Sequence, residues 1–301
     1  MSKHLFKAAV LALAALAQPV QAALDVLACE PEWGALVKEL AGDAASVYVA
    51  TTALQDAHRI QARPSLVAAA RRADLVVCTG AELEVGWLPI LQRQSGNRAI
   101  QPGQPGYFEA ARFVTLLQVP ARLDRAEGDI HAAGNPHIQT NPHNIARVAA
   151  ALADRLAELD AANAAVYRAR HADFAMRWRE AIARWEAAAA PLRGLPIVVQ
   201  HDGFPYLEAW LGLRQVASLE PKPGVEPTSG HLTAVLAQLA REPARAVLRA
   251  VYNDPRSVEW LAERTALPVV VLPWTVGGSP AAQDLFGLFD DTVAQLLKGV
   301  R

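Results

Sequence analysis

"SVYVATTALQDAHRIQARPSLVAAARRADLVVCTG", residues 46–80, sets two short apolar runs on either side of one helical segment. "SVYVATTA" reads as a strand, "PSLVAAARRA" as a helix opened by Pro64, and "DLVVCTG" as a continuous apolar strand ending in a turn. A short strand with no polar alternation is buried on both faces, which points to a parallel sheet covered by helices. Upstream, "LDVLAC" (24–29) adds a strand, and "PEWGALVKELAG" a helix that stops at Gly42. Downstream, "AELEVGWLPILQRQ" reads as helix.

The same alternation returns in the second half, from "PIVVQHDG" (196–203) through "PYLEAWLGL", "RQVASLE", "SGHLTAVLAQLAR", "ARAVLRAVYN", "SVEWLAERTA" and "PVVVLP" to "LFGLFDDTVAQLLKG". Between the halves, helix-forming residues run for over forty positions from Asn144. Asn141 as N-cap and Pro142 as first helical residue would start that region, and no turn signal follows until "PLRGLP". The expected fold is α/β: two similar lobes, each a parallel sheet flanked by helices, joined by one long rigid helix. The expected boundaries are a signal peptide at 1–22, an N-terminal lobe at 23–158, the connector at 159–192 and a C-terminal lobe at 193–301.

"MSKHLFKAAVLALAALAQPVQA" has a basic start, an apolar core too short to span a bilayer, and small residues before a cleavage point after Ala22. This predicts secretion to the periplasm. The whole chain of 301 residues has a net charge of −1, and removal of Lys3 and Lys7 with no acid gives −1 − 2 = −3. Such a chain offers no basic footprint for nucleic acid. Cys29 and Cys78 permit one disulfide in an oxidising compartment, but spacing does not show that they meet.

Polar residues that follow apolar strands are candidates for chemistry, because ligands of parallel sheets bind beyond the carboxyl ends of the strands. His58 falls in the loop after "SVYVATTA", His201 directly follows "PIVVQ", and Asp284 follows "PVVVLP" and a glycine-rich loop. His137 lies in "GDIHAAGNPHIQTNPHN" (128–144), which also holds His131 and His143. Three neutral imidazoles and one carboxylate suit Zn²⁺, and fit calcium, magnesium or copper(I) poorly. Solvated loop histidines are the simpler alternative.

Five segments in order resemble the periplasmic solute-binding proteins (cluster A-I) that deliver zinc or manganese to ABC importers. They are the "D-x-H" loop running into "ADLVVCTGAELEVGWL", then "NPHIQTNPHNI", "HDGFPYLEAWLGL", "EPKPGVEPTSGHL" and "DLFGLFDDTVAQL". The resemblance implies metal ligation by His58, His137, His201 and Asp284, with a histidine at the third position favouring zinc over manganese. It also implies two lobes with little hinge closure. Ala57, Asn135 and Gln139 depart from the family pattern, and its long His-rich loop shrinks to "DRAEGDIHAAGN" (124–135), with His131 an accessory residue at most and Asp124, Glu127 and Asp129 its acids. His143 reads as solvent-facing in the first turn of the next helix and His231 as structural, while His171 lies within the connector helix with no partner that sequence identifies; the tryptophans, Trp274 among them, read as core.

The leading expectation is a monomeric, non-enzymatic carrier that passes Zn²⁺ to the membrane permease of an ABC importer. A zinc hydrolase using Asp56 or Asp202 as base is the first alternative, although no "H-E-x-x-H" helix is present. A binder of an organic solute or metal chelate is the second.

Overall fold

A computed structural model describes residues 23–122, 128 and 131–300. The expected signal peptide and Asp124, Glu127 and Asp129 lie outside the described residues.

The N-terminal lobe runs β1 (Leu24–Ala28), α1 (Pro31–Ala41), β2 (Ala45–Val49), α2 (Pro64–Arg72), β3 (Leu75–Cys78), α3 (Leu88–Ser95) and β4 (Tyr107–Glu109). The C-terminal lobe runs β5 (Pro196–Val199), α6 (Pro205–Leu211), β6 (Arg214–Ser218), α7 (Ser229–Arg241), β7 (Ala246–Ala250), α8 (Arg256–Thr265), β8 (Val269–Leu272) and α9 (Leu285–Gly299). The sheets have matching orders, β2-β1-β3-β4 and β6-β5-β7-β8, with parallel pairing throughout. The expected fold is therefore observed.

Strand periodicity divides each sheet's side chains between two cores. Val26, Ala28, Leu75 and Val77 face one core, while Leu27, Cys29, Val76 and Cys78 face another beneath α2 and α3. Ile197, Val199, Ala246 and Leu248 join the first of these cores from the other lobe, whereas Val198 and Val247 turn to a third beneath α7 and α8. One apolar core thus runs unbroken through both lobes. Each fully buried aliphatic side chain in it contributes roughly 1.5–3 kcal/mol, so parting the lobes exposes apolar surface at high cost.

Two helices fill that shared core. In α4 (Pro142–Leu159), Ile145, Val148, Ala149, Leu152 and Leu156 are buried at three- and four-residue steps, and the Asn141 side chain accepts from His143 N. The long helix α5 (Ala164–Ala189) buries Tyr167, Phe174, Trp178, Ile182 and Trp185 along one stripe. It packs on α1 of one lobe and α9 of the other. Trp178 meets Phe286 and Phe289 edge-on and Trp185 meets them tilted, at centroid distances of 4.9–6.5 Å. A helix locked into both lobes in this way is a strut.

One detail differs from the sequence reading, and the structure answers a second that the reading left open. Residues 81–87 form turns rather than the start of α3, with Ala81 and Glu82 at φ 50° and 66°. The Glu84 carboxylate there accepts from Thr79 N at 2.7 Å and Gly80 N at 3.1 Å, competing with helical bonding. Cys29 and Cys78 do form a disulfide: β1 and β3 are neighbours, and the Cα atoms lie 4.8 Å apart.

Candidate metal centre

The loops beyond the strand ends of the two sheets meet between the lobes, and four imidazoles converge there. His58 comes from the loop after β2, His131 and His137 from the segment before α4, and His201 from the loop after β5. His58 Nε2 lies 3.3 Å from His131 Nε2, and His201 Nε2 lies 3.4 Å from His137 Nε2. Ring centroids of His58 are 5.3, 5.4 and 6.3 Å from those of His131, His137 and His201. Two nitrogens bound to one tetrahedral zinc at about 2.0–2.1 Å would lie about 3.3 Å apart. Both Nε2 pairs have the length of such a tetrahedral edge.

The opposite ring nitrogens are held by carboxylates. His58 Nδ1 bonds Asp56 Oδ1 at 2.7 Å, and His201 Nδ1 bonds Glu220 Oε2 at 2.8 Å. A proton held at Nδ1 leaves the Nε2 lone pair free to point inward. Glu220 is itself fixed by Gly224 N at 2.8 Å. Burial works against the charge of Asp56, but its hydrogen bonds to the His58 ring and backbone and the charges of His58 and His201 together outweigh that and hold the carboxyl below its usual range. Burial likewise disfavours the charged form of His201, yet Glu220, with Asp202 and Asp56, raises its pKa. His137 goes the other way: burial, then the charges of His58, His201 and His131, push it well below the usual histidine range. A buried imidazole held neutral is ready to ligate without first losing a proton.

Packing fixes the rings. Trp274 meets His137 edge-on at 4.9 Å and also touches Phe204 and Tyr252. Gly203 is required there, since a Cβ would sit 2.6 Å from Trp274 Cη2 and 3.0 Å from His201 Cδ2. Asn135 Oδ1 accepts from His137 N at 3.0 Å, and its amide donates to Gln118 Oε1 and Asp202 O, both at 2.8 Å. Gln118 donates to Asp202 in turn, tying the lobes together at the mouth. The cavity behind that mouth measures ≈ 230 Å³.

Asp284 does not join the histidines. It is exposed, caps α9 with Oδ1 accepting from Gly287 N at 2.7 Å, and lines a separate hollow with Lys38 and Val276. The residue following the last strand is thus spent on a helix terminus, and the fourth position at the cluster is held by His131. His143 bonds exposed Glu186 at 2.8 Å and His231 bonds Ser218 O at 2.9 Å, both away from the cluster. The sequence reading did not single out Glu220, although it is the first acid after β6. It placed Trp274 in the core, whereas the ring is a wall of the site.

A family model described as zinc-uptake complex component A, periplasmic, matches residues 26–299. The chain belongs to this family. It is 26% identical to the high-affinity zinc uptake system protein ZnuA of Paracoccus denitrificans, over 96% of this chain and 93% of that protein. A second relative, from Yersinia pestis, bears the same name and is 26% identical over 69% of each chain. Among solved structures, a ZnuA crystal structure superposes with a TM-score of 0.75 at 22% identity, covering 93% of this chain and 99% of that one. The laminin-binding adhesin of Streptococcus agalactiae, as a mutant structure, gives 0.77 at 19% identity over 92% and 100%. These likenesses carry the shared two-lobed architecture. As a member of the zinc-uptake family, the chain is a periplasmic solute-binding component.

Proposed function

We propose that the protein captures one Zn²⁺ between its lobes through Nε2 of His58, His131, His137 and His201, and delivers it to the membrane permease of an ABC importer. The observation that carries this reading is the pair of Nε2···Nε2 separations, 3.3 and 3.4 Å, each backed by a carboxylate on the far side of one ring. Asp56 and Glu220 place two negative charges one hydrogen bond behind the ligands, offsetting the ion's charge. Four nitrogen donors favour zinc over manganese, which is better served by oxygen. A closed set of four ligands suits carriage rather than hydrolysis, because a catalytic zinc keeps a position for water. The ≈ 230 Å³ cavity is small for an organic solute, whose sites run to about 300–1,000 Å³. The protein acts as a monomer in the periplasm after cleavage behind Ala22, with lobes 23–158 and 193–301 joined by the connector 159–192.

The test is a zinc titration of the metal-free protein beside His131→Ala and Asp284→Ala. One zinc per chain, weakened by the first substitution and indifferent to the second, supports the four-histidine set. Weakening by Asp284→Ala alone would return the fourth ligand to the carboxylate.

A further inference from the structure

Behind His58 and His137, which with Asp56 form one side of it, the space between the lobes narrows into a second hollow with buried oxygens that the zinc site does not use. Glu30, Glu32, Thr51, Gln139 and Thr275 line it, with Trp274 as one wall. Its open volume is ≈ 20 Å³, enough for one water or one bare ion. Glu30 and Glu32 are 4% and 2% exposed, and no lysine or arginine is among the described residues that line the hollow.

The oxygens here are acceptors in need of a partner. Glu30 Oε1 and Gln139 Oε1 are buried and make no hydrogen bond, and Gln139 is 3% exposed. The Thr51 hydroxyl donates to Cys29 O at 2.9 Å and the Thr275 hydroxyl donates to Glu32, so both threonine oxygens have only lone pairs left to offer. Protonated glutamates would supply O–H donors to these acceptors, so protons compete with a cation for the hollow. A water could satisfy two acceptors but leaves the charge of the acids uncompensated. A cation does both.

We propose that this hollow is a second cation site, selective for a hard ion of the calcium type, held by Glu30 and Glu32 with Thr51, Gln139 and Thr275. An all-oxygen, irregular set suits calcium, which accepts six to eight such ligands. Magnesium holds its waters in strict octahedral order, and the hollow has no room for them. Zinc finds its nitrogen donors next door. Glu32 and Thr51 come from the N-terminal lobe and Thr275 from the other, so the ion bolts the lobes together. Because the hollow also touches His58 and His137, two cations repel across it, and each weakens the other's binding by the same factor.

The site is tested on zinc-free protein, so the outcome does not depend on where zinc is held. Thermal melts are recorded with CaCl₂ or MgCl₂ for the natural chain, Glu32→Gln and Gln139→Ala. Calcium near 5 mM is expected to raise Tm by about 3 °C, with magnesium weaker and the calcium response lost in both variants. Calcium should also raise the zinc Kd about 5-fold in the natural chain. Indifference to calcium overturns the proposal and leaves the hollow to water and protons. A calcium response that survives in both variants overturns it as well, by placing the ion elsewhere. Should one variant fail to fold, the other decides.

Discussion

Two clusters of ionisable groups meet at His137, and they solve the problem of burial in opposite ways. On one side, four imidazoles stand within hydrogen-bonding distance of one another in pairs. Neutral imidazoles tolerate this, and burial makes His137 still less basic. On the other side lie Glu30, Glu32 and Glu84, whose burial drives their pKa values up, to about 7 for Glu32 and Glu84, with repulsion from those two adding to the rise at Glu30. The histidines wait uncharged for a cation; the glutamates can be uncharged only by keeping protons that ordinary carboxyls give up. A soft nitrogen pocket and a hard oxygen pocket therefore sit back to back between the same two lobes.

Removing a ligand is the most severe way to break this contrast. His137→Ala should lower zinc affinity more than about 100-fold, beyond the usual effect of losing a group that only supports a ligand. Equilibrium competition against a chelating dye reads this directly. Replacing the groups behind the ligands should do less: Glu220→Gln and Asp56→Asn each cost about 10–100-fold, because the imidazole stays but its tautomer and orientation loosen. An unchanged affinity in both would mean that the carboxylates shape the fold and not the zinc.

The glutamate side is read by pH. The native state holds protons on Glu32 and Glu84 up to about pH 7, while the unfolded chain loses them above the ordinary carboxyl value of 4.5. Their contribution to stability is thus complete below that lower value and is lost as pH rises through about 7. His137 runs the other way, costing stability as pH falls below the ordinary histidine range. The difference between the natural chain and Glu84→Gln isolates the acid. In metal-free buffer the natural chain should lose about 5 °C of Tm between pH 5 and 7.5 relative to that variant. Parallel melting curves would show that Glu84 is charged or paired throughout.

The smallest effect is expected at Asp284. Its removal should leave zinc affinity alone and cost about 1 kcal/mol of stability, the ordinary value of an N-cap, as measured by urea unfolding.

The parallel sheets were legible because β3 and β5 are short unbroken apolar runs, and α4 because Asn141 and Pro142 mark its start. That His58, His137 and His201 stand in loops between elements was legible for the same reason, since the flanking patterns are clear. Asp284 was not. An aspartate before an apolar helix reads equally as ligand or cap, and only the direction of its lone pairs toward Gly287 N decides. His131 looked like a solvated loop residue because nothing local brings it to His58; the fold does that. Glu32 lies on a helix with an ordinary amphipathic pattern, so it reads as a solvent-facing residue. Its burial comes from the far lobe, where Thr275 arrives from 243 positions away. Contacts between lobes leave no mark on local periodicity.

The central claim, four imidazoles and no protein carboxylate around the zinc, is tested most directly by the X-ray absorption spectrum of the zinc-loaded protein. The account predicts four nitrogen neighbours at about 2.0–2.1 Å with the outer-ring scattering of four imidazoles, falling to three in His131→Ala. Three imidazoles and a carboxylate oxygen in the natural chain, unchanged in His131→Ala and altered in Asp284→Ala, would contradict it.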